Sequence, residues 1–397
     1  MGVAFSVSAQ NTLKSYRFVR TFSKEEMAMK WKMSNIPRMI VKAKDSVDVY
    51  EILYNSHYPT GEAVVASGLY FLPRGKKTDL PLLSYNHGSE LRKARKVSLS
   101  GEQTICFIFA TDGYAVMMPD YFGLGAGEKD QVYLNAESEA TASKDMMLAV
   151  KELNPILGYQ LNDKLFLTGY SQGGHAAMAT HKLLQEKYKN ELPVTASSPM
   201  SGPYDIFTTV DEAKDKEYGT PSFLMLLVKS YYDVEKPEAS FAEVLKAPYD
   251  SIIPPLLNGN YSLGEVDKHL PLVAYRALKD EFVKDYLTNP DNGFKKYLLS
   301  NNVYDWKPEA PMQLCYCNSD ESVNYQNSLT AYQTMVKNGS EGVHLRMSGK
   351  KFRHESCASF AVIYTKMFFD SYLYGGNERG PLGKRMLLDI GKLAIKP

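Results

Sequence analysis

The sequence predicts an α/β fold, a mostly parallel sheet flanked by helices, with a block of helices inserted late in the strand order. Three observations predict it. Between residues 45 and 203, short apolar runs alternate with helix-length segments, the rhythm of strand–helix–strand units. The run Lys164-Leu-Phe-Leu-Thr168 leads directly into Gly169-Tyr-Ser-Gln-Gly173 and a helix-like stretch, Gly174 to Leu184, with small residues in its first turns. From about Pro203 to Pro311 helix-like segments follow one another with no strand-type run of comparable quality between them.

The first element with a clear period is Val47-Asp-Val-Tyr-Glu-Ile-Leu-Tyr54, whose alternation suits an antiparallel strand; residues before it read as mixed helix-like and polar stretches. Ala63 to Pro73 is the next strand, and Pro81-Leu-Leu-Ser-Tyr-Asn-His-Gly88 a buried one ending in glycine. Ile105 to Ala110 belongs to a helix running up to Asp112-Gly113, and Tyr114 to Pro119 follows as a strand. Ala136 to Leu153 is alanine-rich and helical, with Met146, Met147, Ala149 and Val150 on its apolar positions. Val194 to Met200 closes the first set of strands. Ser222 to Tyr232, Phe241 to Lys246 and Leu272 to Val283 are the helix-like segments of the insertion. Strands resume at Met312 to Cys317 and Val343 to Met347, each followed by a helix. The expected organisation is an N-terminal segment with a leading helix (1–44), a core (45–203 and 309–375), a helical cap (204–308) and a C-terminal extension (376–397).

Composition narrows the function classes. At 397 residues, with 44% hydrophobic and 23% charged residues, the chain can bury a substantial core. A net charge of +1 gives no electrostatic reason for a nucleic-acid partner. No apolar run approaches the length of a transmembrane helix. The 28 tyrosines suit both a large core and the walls of a pocket. The four cysteines are too few for a disulfide framework at this length, and buried free thiols are expected. Val3 to Ala9 resembles the end of a secretory signal, with Val7 and Ala9 at the small-residue positions of a cleavage site; an ordinary flexible terminus is the other reading.

Gly-x-Ser-x-Gly between a strand and a helix is the nucleophile elbow of α/β-hydrolases, in which a strained turn lifts the serine hydroxyl clear of the sheet. A serine hydroxyl is a weak nucleophile at neutral pH and needs an imidazole, itself oriented by a carboxylate. In this fold the order is serine, acid, histidine. Of the seven histidines, His57 and His87 precede Ser171, and His175 and His181 ride on the elbow helix. His269 lies in the insertion and His344 within a strand. His354 is left, after the polar loop Ser348 to Arg353. His354-Glu355 is not a zinc-protease motif, because position 358 is Ala. Asp320, just past the strand 312–317, is the expected acid, with Asp205 the alternative on the preceding strand. The oxyanion donors are expected to be the N–H of Gln172 and one N–H from Gly88 or Ser89.

Together Ser84-Tyr-Asn-His-Gly-Ser89, Pro119-Asp-Tyr-Phe-Gly-Leu-Gly125, Gly169-Tyr-Ser-Gln-Gly-Gly174, Cys317-Asn-Ser-Asp-Glu-Ser-Val323 and the late His354 resemble the secretory lipase family of α/β-hydrolases, over roughly residues 45–375. The resemblance implies hydrolysis of small-molecule carboxylic esters, a helical cap inserted before the acid-bearing strand, export, and neither cofactor nor metal. Two rivals stand beside it. A peptidase of the same fold would need carboxylates in the cap for the substrate's amino group, for which Glu235, Glu238 and Glu243 are available. A binding protein with a hydrolase fold would lack the chemistry altogether.

Overall fold

The computed structural model describes residues 11–33 and 41–374; the signal-like start at Val7 and Ala9 and the tail after Gly375 lie outside them. Among the described residues nine strands form one sheet: β1 (Leu13–Phe22), β2 (Val47–His57), β3 (Ala63–Pro73), β4 (Leu80–Asn86), β5 (Ala115–Pro119), β6 (Leu161–Tyr170), β7 (Ala196–Met200), β8 (Met312–Cys317) and β9 (Val343–Gly349). Their order is β1-β2-β3-β5-β4-β6-β7-β8-β9. The first three are antiparallel, β3 meets β5 antiparallel, and every pairing from β5 to β9 is parallel.

Burial explains which strands were easy to read. β4 and β5 are buried along their whole length and appear as largely apolar runs, whereas β7, equally buried, carries the small polar Ser197 and Ser198. β2 alternates between buried and half-buried positions, the period-2 signature of a strand with one wetter face. β1 was not expected. It lies on the sheet edge with most side chains exposed, and Lys14, Arg17 and Arg20 interrupt any apolar alternation, as suits an edge guarded against further pairing.

Helices cover both faces. On one side α2 (Gln103–Ala110) and α12 (His354–Tyr374) bring Phe107, Phe109, Phe368 and Phe369 onto Phe71, Val116 and Phe166, with Trp31 of α1 (Lys24–Met33). On the other, α3 (Ala136–Leu157) and α4 (Gln172–Lys187) set Met146, Leu153 and Leu184 against Met117, Leu165 and Leu167. Phe166 and its neighbours Leu165 and Leu167 thus serve opposite faces, as strand geometry requires. α11 (Gln326–Lys337) packs Ala331 and Met335 beside Met312 and Leu314 of β8.

Between the paired strands β7 and β8 come α5 (Ile206–Glu212), α6 (Ser222–Glu235), α7 (Tyr249–Leu256), α8 (Leu263–Asp267), α9 (Asp280–Thr288) and α10 (Gly293–Ser300). They share a hydrophobic cluster that includes Met225, Val228, Leu245, Val266, Ala277 and Tyr286 and extends to Leu91, Tyr133 and Leu134. Two expected helices are different here. Phe241 to Lys246 contains only a 3-10 turn at Ala242–Val244. Leu272 to Val283 divides into a 3-10 turn at Ala274–Ala277 and the start of α9. The reason is backbone pairing between the two segments. Lys246 N donates to Ala277 O (2.9 Å), Lys279 N donates to Val244 O (2.8 Å), and Leu245 bridges Leu278.

The expectation of free thiols holds for Cys106 and Cys315 and fails for the other two. Cys317 at the end of β8 and Cys357 in α12 form a disulfide, with Cα atoms 6.0 Å apart and a sequence separation of 40. α12 folds back along the sheet beside β8, which no local pattern around either cysteine announces. A loop of that length closed in the unfolded chain stabilises the fold by about 4 kcal/mol on chain-entropy grounds.

Candidate active site

β6 delivers Ser171 to the top of the sheet, and α4 begins at the next residue. Ser171 adopts φ +59°, ψ −122°, a conformation that costs about 1–3 kcal/mol and has to be enforced by its surroundings. Ser171 N donates to Met200 O (3.0 Å), while Ser171 O accepts from Gly174 N (2.8 Å). The glycines make this approach possible. A Cβ on Gly173 would sit 1.9 Å from Asn86 O, and one on Gly169 2.1 Å from Gly173 O. Both are backbone atoms that cannot yield.

His354 is the first residue of α12, and its Nδ1 lies 2.8 Å from both carboxylate oxygens of Asp320. The Asp320 side chain is 1% exposed and that of His354 12%. Asp320 is held in turn by Ser322 N (3.1 Å) and Val323 N (2.8 Å). With Nδ1 committed to the carboxylate, Nε2 is the ring nitrogen left to accept a proton. Tyr170, the residue before Ser171, places its ring 4.9 Å from the imidazole and donates its hydroxyl to His354 O (2.5 Å). The Cys317–Cys357 disulfide ties the strand before Asp320 to the helix that His354 opens. Asp205 is employed otherwise: it caps α5, accepting from Thr208 N (3.1 Å), Thr208 Oγ1 (2.7 Å) and Asn302 Nδ2 (3.0 Å).

Gln172, as the first residue of α4, has a backbone N–H with no acceptor inside the helix. Gly88 and Ser89, the two alternatives for the second donor, sit in different surroundings, and Gly88 is the more engaged. Its N–H is spent on the half-buried Glu102 carboxylate (2.9 and 3.0 Å), which also accepts from Tyr85 OH (2.6 Å). Burial raises the carboxyl of Glu102, and these two donors partly offset that. Ser89 pairs its hydroxyl with Tyr133 OH (2.6 Å), and Tyr133 stacks on Phe223 of α6. Glu102 and Tyr133 carry no motif, and only the folded chain brings them to this loop.

His87 is a structural residue. Its ring contacts Gly88 O (2.7 Å), Asp120 O (3.3 Å) and Arg95 (3.2 Å), and burial with the neighbouring guanidinium lowers its pKa to about 3. His181, buried beside Ser197, is lowered to about 3 by burial alone. In the unfolded chain both take up protons near pH 6.5, so the stability they contribute is present above that value. It is lost as pH falls from 6.5 toward 3. The urea midpoint should fall across that window, and His181→Gln should flatten part of the slope; an unchanged slope would mean His181 titrates normally in the fold.

Ser171 and Gln172 open into a cleft with about 690 Å³ of empty space, part of it continuous with solvent. Its walls come from Tyr133 of the core and from Ile206, Val210, Phe223, Leu227 and Tyr275 of the helices between β7 and β8. No acidic side chain lines it among the described residues. Among those residues no helix is long and apolar enough to cross a membrane.

A family model described as Secretory lipase matches residues 88–351. Among solved structures, the chain is similar to a protein from Legionella pneumophila (TM-score 0.83, 28% identity, covering 91% of this chain and 98% of that one). It is also similar to the rice cell wall degrading esterase LipA from Xanthomonas oryzae (TM-score 0.80, 28% identity, 90% and 96% coverage). Candida antarctica lipase A has the same fold at TM-score 0.68 and 19% identity, over 94% of this chain and 84% of that one. No curated protein matches the chain by sequence.

Proposed function

Because the chain belongs to the secretory lipase family and is a carboxylic ester hydrolase with the α/β-hydrolase fold, we propose that it works through Ser171, His354 and Asp320 by way of an acyl-enzyme. Ser171 Oγ attacks the acyl carbonyl as His354 Nε2 takes its proton, and Asp320 stabilises the imidazolium. The same proton goes to the departing alcohol, and a water activated by His354 then releases the acid. Gln172 N–H and Ser89 N–H hold the oxyanion; Gly88, with its N–H bound to Glu102, instead fixes the loop. The observation that carries this reading is the His354–Asp320 pair, packed through Tyr170 against the strained Ser171. Family membership supports export.

Residues 204–308 act as a cap that selects the acyl group. The support is the cleft itself, whose apolar walls come mainly from this segment. An aminopeptidase would need a carboxylate there. Glu243, one of the acids available to it, spends its side chain on Ser240 (2.7 Å) and does not line the cleft. A panel of p-nitrophenyl esters of increasing length, run beside aminoacyl amides, tests the assignment. Turnover should rise with acyl length and be confined to the esters; preferred cleavage of the amides would reverse it.

The wall also divides α6 into two kinds of residue. Phe223, Leu224 and Leu227 face the cleft, whereas Met225 and Val228 are fully buried in the helical cluster. Each methylene that fills the cleft gains up to about 0.8 kcal/mol, or roughly fourfold in kcat/KM. Leu227→Trp should therefore shorten the preferred acyl chain and spare acetyl esters, while Val228→Ala should lower Tm with the chain-length profile unchanged. Identical profiles for a folded Leu227→Trp and its parent would remove the cap from selectivity.

A further inference from the structure

Behind the elbow lies a buried acid–imidazole pair that the chemistry above does not use. Glu139 of α3 and His175 of α4 are both fully buried, with His175 Nδ1 2.7 Å from Glu139 Oε2. The other ring nitrogen, Nε2, is 2.8 Å from Asn301 O at the end of α10. Both ring nitrogens therefore face oxygen partners: Nε2 donates to the Asn301 carbonyl, and one hydrogen is shared between Nδ1 and the Glu139 carboxyl. The second oxygen of Glu139 accepts from Gln172 Nε2 at 2.8 Å. One carboxylate thus holds two residues of the same helical turn.

That turn is Gln172-Gly173-Gly174-His175, and its two glycines are imposed by the backbone of β4 and β7. A Cβ on Gly173 would strike Asn86 O and one on Gly174 would lie 2.6 Å from Met200 O. Glycine is the weakest helix former apart from proline, so the turn presenting the Gln172 N–H is the softest part of α4. Its two flanking side chains are the ones that Glu139 holds, so the carboxylate braces the glycine pair from both ends. Glu139 also lies in the first turn of α3, and it reaches the first turn of α4. Two helix N-termini and the His175 ring favour a carboxyl group at this place.

We propose that the buried Glu139–His175 pair is a positioning device for ester hydrolysis, holding the first turn of α4 so that the Gln172 N–H faces the developing oxyanion with no uncompensated negative charge behind it. The proposal rests on the reading of Gln172 as an oxyanion donor. Neither residue touches substrate. Removing His175 does two harmful things: it frees the turn, and it leaves a bare carboxylate close to where the oxyanion forms. Neutralising Glu139 as well should undo the second.

The test uses the full chain with a short p-nitrophenyl ester, and an alkyl boronic acid whose tetrahedral adduct on Ser171 mimics the oxyanion. His175→Asn should lower kcat about 100-fold, the scale of losing one oxyanion donor, with KM within about twofold and boronic acid affinity falling alongside kcat. The double variant Glu139→Gln/His175→Asn should regain about tenfold in kcat. Gln172→Met keeps the backbone donor and the Glu139–His175 contact but cuts the brace, and should lose about tenfold in kcat. It also serves if the buried variants do not fold. Folded variants with kcat and boronic acid affinity within twofold of the parent would overturn the proposal, as would a double variant no better than His175→Asn. Ser171→Ala, run beside them, separates the failures: retained hydrolysis there rejects the Ser171 reading itself.

Discussion

Ser171→Ala should fold as the parent does and hydrolyse esters at least about 10⁴-fold more slowly. The backbone at 171 is held by Met200 O, Gly174 N and His175 N, none of which involves the side chain. Alanine also keeps the Cβ that makes φ +59° costly, so the strain is unchanged and Tm should shift by no more than about 2 °C. What disappears is the only atom of the turn able to form an acyl bond. A fluorophosphonate should add its mass to the parent and not to the variant. Hydrolysis close to the parent rate, with labelling elsewhere, would remove Ser171 from the reaction and return the fold to the binding-protein reading.

The parts of the site that were legible in the sequence are those whose physics is local. Gly169, Ser171 and Gly173 are three residues of one turn, and the steric demand that selects them acts within that turn and its nearest strand. His354 and Asp320 were reachable because the topology of a parallel sheet sends each new strand end to the same edge, so chain order restricts the choices. What escaped reading depends on distant pairing. β1 is an edge strand with no buried alternation to report it. The segments around Ala242 and Ala274 have helical composition, but their backbones bond to each other. Cys317 and Cys357 meet only after α12 returns beside β8. His175 has both ring nitrogens on Glu139 and Asn301, partners that its proximity to Ser171 in sequence does not announce. Gly88 and Ser89 are indistinguishable as donors until Glu102 occupies one of them.

Asp320→Asn should cut kcat by about 10³- to 10⁴-fold, against a small loss for Asp205→Asn. His354 Nδ1 is equidistant from the two Asp320 oxygens at 2.8 Å, in a site where the carboxylate is almost fully buried. An asparagine amide there can present an N–H to Nδ1, which turns Nδ1 into an acceptor and moves the ring proton to Nε2. The base then carries a hydrogen where it must accept one, although the geometry is intact. Ser322 N and Val323 N still find an amide oxygen, so the loop should hold and the loss should fall on kcat. Asp205→Asn retains an oxygen for Thr208 at the α5 cap and meets no imidazole, so it should cost at most about 1 kcal/mol of stability and leave kcat within about twofold. Measuring both variants on one ester, with thermal melts beside the rates, decides between them. A large kcat loss confined to Asp205→Asn would move the acid to the end of β7 and leave the Asp320–His354 contact as a cap on α12.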